Sequence, residues 1–304
     1  MPMSASKLFL TCDEGDKVLY AGMMESTVRA VVDSMSHGKA YAGMTPEKLR
    51  AAVRVEELLP EEGLGFDRLL EEVKEKILPN FLRPSSTSYM AHLHSSVLLE
   101  SVAAELILAT FNQSMDSWDQ APVATEIEVD VIRKLCTLYG YDSNSDGVFT
   151  SGGSQSNLSG LLLARDHFCN TKLHHDVKKY GLPDSYRKFR LYSSEIAHFS
   201  MEKSAHLMGL GYDCVVKIPV DDSMRMDKEY LREQIRKDLA GGLLPFCVNA
   251  TVGTTDFGSI DPLCELRSIC DEYSLWLHAD AAYGSGVILS EKYASRVAGL
   301  GMCD

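Results

Sequence analysis

The alternation of short apolar segments with amphipathic segments constrains the fold of this chain more than any other feature. Short apolar segments, each typical of a strand, occupy residues 147–150, 189–192, 214–218, 246–250 and 275–279. Between them, helical patterns follow Ser154 and cover residues 201–208, 228–239 and 262–273. This order predicts an α/β fold, with a mostly parallel sheet covered by helices on both faces.

The first part of the chain follows a different pattern, which predicts helices alone. Thr45 precedes Pro46, a combination typical of a helix N-cap followed by proline at the first helical position. Apolar residues recur at helical spacing over residues 66–77. Two further helices are predicted at residues 97–111 and 125–138. A helical N-terminal segment therefore precedes the predicted sheet.

Composition and charge exclude several classes of function. The 304 residues carry a formal net charge of −13, which argues against binding to nucleic acid or to an anionic membrane surface. No apolar run approaches the length of a membrane span, and the first ten residues do not resemble a signal peptide. The eight cysteines are scattered, with no C-x-x-C spacing, so we expect reduced thiols and a cytoplasmic location.

A glycine–serine turn lies between the first predicted strand and the helix after it. Gly152 and Gly153 allow a ligand to approach the backbone, and the unpaired N–H groups of the helix N-terminus suit a phosphate. A plain capped turn would look the same. A serine hydrolase is disfavoured, because Ser156 stands where the nucleophile elbow around Ser154 requires a glycine.

Three more polar residues stand at the ends of predicted strands. His198 follows one strand, Thr251 follows another, and Asp280 ends the apolar segment 275–279. Each has an ordinary explanation as a structural histidine, a capped turn or a solvated acid. Because ligands of open α/β sheets bind at the carboxyl ends of the strands, their shared position also favours a ligand site. No metal site is predicted, since the histidines lack the H-E-x-x-H pattern.

Pyridoxal 5′-phosphate is one ligand that explains these strand-end features together. Its phosphate suits a helix N-terminus, its ring needs a stacking partner, and its pyridine nitrogen needs a carboxylate. That carboxylate keeps the nitrogen protonated, so the ring can accept the electron pair left when a bond to the substrate Cα breaks. The pairing also explains why a buried Asp280 would be tolerated.

At these residues the chain resembles the group II pyridoxal-phosphate-dependent decarboxylases, from about Tyr89 to its last residue. The resemblance implies the aspartate aminotransferase-like fold, called fold type I. It also implies a homodimer with active sites at the subunit interface and a small-molecule amino acid as substrate. Gly152, Gly153 and Ser154 match the family's phosphate loop, and His198 matches its ring-stacking histidine.

The resemblance implies further roles around the cofactor ring and the substrate. Thr251 matches the threonine that contacts the cofactor, Asp280 the partner of the pyridinium, and Ala282 the small residue beneath the ring. His198 and Asp280 are thus the expected catalytic pair. His92 and His94 fall where glutamate decarboxylases hold substrate-contacting residues.

Residues 111–125 look most like bacterial 2,4-diaminobutyrate decarboxylases, which form 1,3-diaminopropane and CO₂. We therefore expect L-2,4-diaminobutyrate as substrate, with glutamate or another amino acid of the group II enzymes as the alternative. A different fold-type-I enzyme, such as an aminotransferase or a C–S lyase, is a further alternative.

The family's Schiff-base lysine is expected shortly beyond Asp304. Lys292 lacks the histidine that precedes that lysine in the family, so it is not assigned the role. We expect residues 1–88 to form the helical segment and residues 89–304 an incomplete cofactor-binding domain, with the C-terminal small domain absent and the chain truncated. A non-catalytic cofactor-binding protein or dimer partner that lacks the lysine is the alternative of a different class.

Overall fold

A computed structural model describes residues 9–36 and 38–304. The contacts within the chain divide it into a first unit that ends at Phe111 and a second unit, Asn112–Asp304. The predicted boundary between a helical segment, residues 1–88, and a cofactor-binding domain, residues 89–304, stays a prediction. No helix among the described residues is both long and apolar enough to cross a bilayer.

The first unit is helical, as the sequence predicts. Its α-helices are α1 (Glu14–Met35), α2 (Pro46–Val53), α3 (Phe66–Glu72) and α4 (Leu99–Phe111). The Thr45 side chain accepts a hydrogen bond from the Lys48 N–H at the start of α2, with Pro46 at the first helical position. This confirms the predicted N-cap.

The second unit carries the sheet and the remaining helices. Its α-helices are α5 (Pro122–Tyr139), α6 (Gly153–Lys172), α7 (Val177–Tyr180), α8 (Ser200–Leu207), α9 (Lys228–Ala240) and α10 (Leu263–Tyr273). Its strands are β1 (Phe189–Ser194), β2 (Val215–Ile218), β3 (Leu244–Thr251) and β4 (Trp276–Asp280). Short 3₁₀ turns connect several of these elements.

The strands form one four-stranded sheet in the order β2-β1-β3-β4, and every pairing is parallel. The chain leaves β1 toward β2 on one side and later continues from β3 toward β4 on the other. The carboxyl ends of β1 and β3 therefore flank a switch point, where open parallel sheets bind their ligands. In the β3–β4 register, Thr251 lies opposite Asp280.

Apolar side chains from opposite faces of the strands build two separate core layers. Leu191 and Cys247 pack with Leu161 of α6 and Met201 of α8 on one face. On the other face, Val248 and Leu277 of the sheet pack with residues of α9 and α10, among them Leu231, Ile235, Leu266 and Ile269. Helices on both faces are what the predicted alternation requires, and the α/β prediction is confirmed.

The predicted strand at residues 147–150 is wrong. These residues form no pairing in the described sheet, and Val148 and Phe149 are exposed. The Phe149 N–H donates instead to the Glu128 carboxylate of α5, at 2.9 Å. Unlike β2, which is equally short but has Val215 and Ile218 buried, this segment exposes its apolar side chains. It forms an extended connection that leads into α6.

The segment after β4 passes very close to the end of β3. The Gly284 N–H donates to the Val252 carbonyl at 2.9 Å, and a Cβ at Gly284 would overlap that carbonyl and lie 2.8 Å from its carbon. Gly284 thus allows the chain to fold back beside Thr251 directly after Asp280. Gly286, two residues later, has open space around it.

We expect Gly284→Ala to destabilise the protein by about 1–3 kcal/mol, because a backbone carbonyl cannot move aside as a side chain can. Gly286→Ala is the matched control, and its stability should equal that of the wild type or exceed it by up to about 1 kcal/mol. Urea unfolding of the three proteins checks this. Equal losses for both variants would show that the close approach at Val252 is not a constraint.

Candidate active site

A cavity of about 390 Å³ opens where β4 ends and α6 begins. It is lined by side chains and backbone from the connection before α6, the first turns of α6 and the end of β4. These lining residues are Val148, Phe149, Thr150, Gly152, Gly153, Ser156, Asn157, His278, Ala279, Asp280, Ala281 and Ala282. Of the residues that the sequence predicts for the site, Gly152, Gly153, Asp280 and Ala282 line this cavity.

The N-terminal turn of α6 forms part of the wall of this cavity. The N–H groups of Gln155 and Ser156 bond to the Gly152 carbonyl, and no described side chain caps the helix. Ser154 is exposed in the same turn. A Cβ at Gly153 would touch the Ala282 methyl group at 3.4 Å, so glycine keeps this wall of the cavity open. Such an uncapped helix end suits an anionic group.

The Asp280 carboxylate is the buried charge of the cavity, with only 8% of the residue exposed. Its Oδ2 accepts a hydrogen bond from Asn157 Nδ2 at 3.0 Å, and its Oδ1 accepts from the Ala282 N–H at 3.2 Å. These two donors fix the plane of the carboxylate. Each oxygen keeps a lone pair for a cationic partner, which a buried carboxylate requires.

Thr251 lies beside Asp280 at the end of β3 and is 3% exposed. Its N–H donates to Asp261 Oδ2 at 2.7 Å, whereas its Oγ1 is buried without a hydrogen-bond partner among the described residues. Asp261 also accepts from the Met226 N–H at 2.7 Å, and burial raises the pKa of Asp261 to about 6. An orphaned buried hydroxyl is costly unless a ligand supplies its partner.

His198 stands after β1, half-buried, and does not line the cavity directly. Its Nδ1 lies 2.9 Å from Ser200 Oγ and accepts from the Ser200 N–H at 3.2 Å. Its ring contacts the exposed Phe199 ring, with 4.0 Å between the centroids. Stacking of His198 on a cofactor ring stays a prediction.

The structure adds three residues that the sequence reasoning missed: Asn157, Ser200 and His278. His278 Nε2 lies 2.9 Å from Asn157 Oδ1, and Gly160 provides the space for its ring. Although part of the residue is accessible, protein surrounds the imidazole, and this desolvation lowers the pKa of His278 to about 4. One signal was available, because alternation along β4 places His278 on the same face as Asp280.

His92 and His94 lie in the first unit, between Asn80 and Leu99, and both are exposed. The His94 ring meets the edge of the Tyr89 ring, with 6.2 Å between the centroids. Their contact with a substrate stays a prediction. Within residues 9–36 and 38–304, no group of three or more histidine, cysteine, aspartate or glutamate side chains could hold a metal ion.

Comparison with known proteins identifies the family. The profile described as the pyridoxal-dependent decarboxylase conserved domain matches residues 46–304. The chain belongs to this decarboxylase family. The L-2,4-diaminobutyrate decarboxylase of Acinetobacter baumannii is 37% identical over 304 residues, which covers 97% of this chain and 59% of that protein. The enzyme of the same name from Rhizobium meliloti is 34% identical and is covered to 57%.

Solved structures agree with this assignment. One is the glutamate decarboxylase domain of diaminobutyrate-pyruvate transaminase and L-2,4-diaminobutyrate decarboxylase from Vibrio parahaemolyticus. It matches with a TM-score of 0.94 and 37% identity, over 98% of this chain and 64% of that one. Mouse CSAD matches with a TM-score of 0.85 and 31% identity, over 94% and 59%. Fold type I is thereby confirmed, and the chain spans less than two thirds of these relatives.

The residues of this cavity fit pyridoxal 5′-phosphate, the cofactor of the family. The free N–H groups of α6 can hold its phosphate, and the lone pairs of Asp280 can meet its protonated ring nitrogen. Thr251 does not line the cavity, but it is the register partner of Asp280 on β3, and its buried hydroxyl has no hydrogen-bond partner among the described residues. Ala282 leaves room for a flat ring where a larger side chain would fill the cavity.

We expect His278→Gln to change how stability depends on pH. Because burial lowers the pKa of His278 from 6.5 to about 4, the unfolded chain binds more protons than the folded chain between these values. The contribution of neutral His278 is therefore complete above pH 6.5 and is lost as pH falls toward 4. The wild-type free energy of unfolding, minus that of the variant, should rise by up to about 3 kcal/mol over this range.

Urea unfolding of both proteins at several pH values measures this difference. The raised pKa of Asp261 acts in the opposite direction between pH 4 and 6, but Asp261 is present in both proteins and cancels. A pH-independent difference would mean that His278 titrates normally in the folded protein.

Proposed function

We propose that the protein that carries this chain is a pyridoxal-phosphate-dependent amino-acid decarboxylase with L-2,4-diaminobutyrate as its favoured substrate. Family membership supports the reaction class, and the named activity of two relatives at 37% and 34% identity supports the substrate. The products would be 1,3-diaminopropane and CO₂. Glutamate or another amino acid of the group II enzymes is the alternative substrate.

The observation that carries the reaction class is the buried Asp280 carboxylate with lone pairs free on both oxygens. When bound, the cofactor supplies an electron sink for the pair released as the Cα–carboxylate bond breaks. Asp280 would hold the proton on the ring nitrogen that makes this sink effective. The two donors to Asp280, Asn157 and Ala282, keep its oxygens aimed while that charge develops.

The other residues of the site would bind the cofactor and orient its ring. Gly152, Gly153 and Ser154 would hold the phosphate through backbone N–H groups, and Thr251 would donate or accept at the cofactor with its free hydroxyl. His198 would fix the plane of the ring from one face. We propose in addition that His92 and His94 contact the substrate, that the enzyme is a homodimer, and that it acts in the cytoplasm.

The decisive test is product analysis on the protein as its host makes it. We expect carboxyl-labelled L-2,4-diaminobutyrate to release CO₂ with a higher kcat/KM than glutamate, aspartate or cysteine sulfinate. Faster release of CO₂ from one of these three acids would show that this acid is the substrate and would leave the decarboxylase assignment unchanged. Transfer of the amino group without CO₂ would indicate an aminotransferase instead.

A second measurement addresses the non-catalytic alternative. Borohydride reduction followed by peptide mapping should reveal a lysine that is covalently linked to the cofactor. A protein that binds pyridoxal 5′-phosphate without such a link, and releases no CO₂, would be a cofactor-binding protein or dimer partner.

We expect Asp280→Asn to lower kcat/KM for decarboxylation by about 100-fold or more, because the variant keeps the shape and loses the charge that pairs with the ring. Asp238→Asn is the matched control. Asp238 is a buried carboxylate in α9 that accepts from Tyr192 and Gln234 and lies on the other face of the sheet. Its replacement should cost stability and leave kcat/KM unchanged; equal activity losses would count against the role of Asp280.

A further inference from the structure

Asn157 uses both ends of its side-chain amide in a buried hydrogen-bond network. Its Nδ2 donates to Asp280 Oδ2 and to Ser200 Oγ, both at 3.0 Å. Its Oδ1 lies 2.9 Å from His278 Nε2. Only 5% of Asn157 is exposed, so these protein groups take the place of water around the amide.

The orientation of this amide is determined by its partners. Rotation by 180° would turn Oδ1 toward the Asp280 carboxylate, where two oxygens without a proton would repel. With Oδ1 facing His278, the Nε2 atom must carry the proton and donate it. The lowered pKa of His278 agrees with a neutral ring.

Ser200 extends the network to His198. The Ser200 N–H donates to His198 Nδ1 at 3.2 Å. Ser200 Oγ accepts from Asn157 and lies 2.9 Å from the same His198 nitrogen. Ser200 thus links the Asn157 amide to the His198 ring.

We infer that Asn157 is a positioning residue that locks Asp280 and His198 into one hydrogen-bonded unit around the cofactor ring. The inference rests on the proposed function, in which Asp280 meets the ring nitrogen and His198 the ring face. Asn157 acts on Asp280 directly and on His198 through Ser200. Its place on α6, one turn after Gly153, also ties the phosphate-binding end of that helix to the carboxylate.

Gly160 allows this arrangement to form. A Cβ at Gly160 would lie 2.6 Å from His278 Cε1 and 2.7 Å from Nδ1, which is closer than atoms can approach. Glycine at this position lets α6 lie directly against His278. The imidazole can then reach the Asn157 Oδ1 atom, at 2.9 Å from Nε2.

The test compares Asn157→Asp with Gln234→Glu, two variants that make the same chemical change. Gln234 Nε2 donates to the buried Asp238 Oδ1 at 2.8 Å, so each variant turns an amide donor into an oxygen that faces a buried aspartate. Both should lower the unfolding temperature. Only Asn157→Asp changes a side chain that contacts Asp280, the proposed partner of the cofactor ring.

Two readouts on the native-length protein do not depend on turnover: the Kd for pyridoxal 5′-phosphate and the visible circular dichroism of the bound cofactor. For Asn157→Asp we expect a Kd at least about 10-fold higher and a weaker dichroic band, because Asp280 and Ser200, which contacts His198, lose their shared donor. Gln234→Glu should stay within about twofold of the wild type in both. A Kd and a band for Asn157→Asp that match Gln234→Glu would overturn the inference.

Ser200→Ala provides a second, milder variant should Asn157→Asp fail to fold. It removes the Ser200 hydroxyl between Asn157 and His198 and leaves the bond from Asn157 to Asp280 intact. We expect a weaker dichroic band and an altered His198 ring signal in ¹⁵N-histidine NMR; an unchanged band and an unchanged signal would overturn the inference. A wild-type protein that binds no pyridoxal 5′-phosphate would instead refute the proposed function itself.

Discussion

The burial of one carboxylate, that of Asp280, is the constraint on which the rest of this site depends. A charge at the end of a buried parallel strand is expensive to desolvate unless donors and a counter-charge meet it. Asn157 and the Ala282 backbone supply the donors. In the proposed function a protonated pyridine ring would supply the counter-charge, and Asp280 would hold the proton that makes this ring an electron sink.

The topology of the fold places this carboxylate beside the N-terminus of α6. All four strands are parallel, so the connections after β1, β3 and β4 leave from the same edge of the sheet, where β1 and β3 flank the switch point. The α6 helix packs on one face of the sheet, with its N-terminus in the wall of the cavity. A phosphate and a ring nitrogen can then be held by different elements of one rigid unit.

The strands from Phe189 to Asp280 could be predicted because each is an apolar run bounded by turn residues. The segment at residues 147–150 could not, since the partner of its backbone is the side chain of Glu128. Strand ends revealed Asp280 and Thr251, whereas Asn157 and Ser200 gave no local signal. Asp280 and Ser200, the hydrogen-bond partners of Asn157, lie 123 and 43 residues away from it in the sequence. Only the folded structure therefore brings the amide, the hydroxyl and the carboxylate together.

The central claim is that Asp280 pairs with a protonated ring nitrogen of the bound cofactor. The most direct measurement is the ¹⁵N NMR shift of pyridoxal 5′-phosphate labelled at its pyridine nitrogen and bound to the protein. We expect the shift of a protonated nitrogen in the wild type and that of an unprotonated nitrogen in Asp280→Asn at the same pH. The same shift in both proteins would contradict the account.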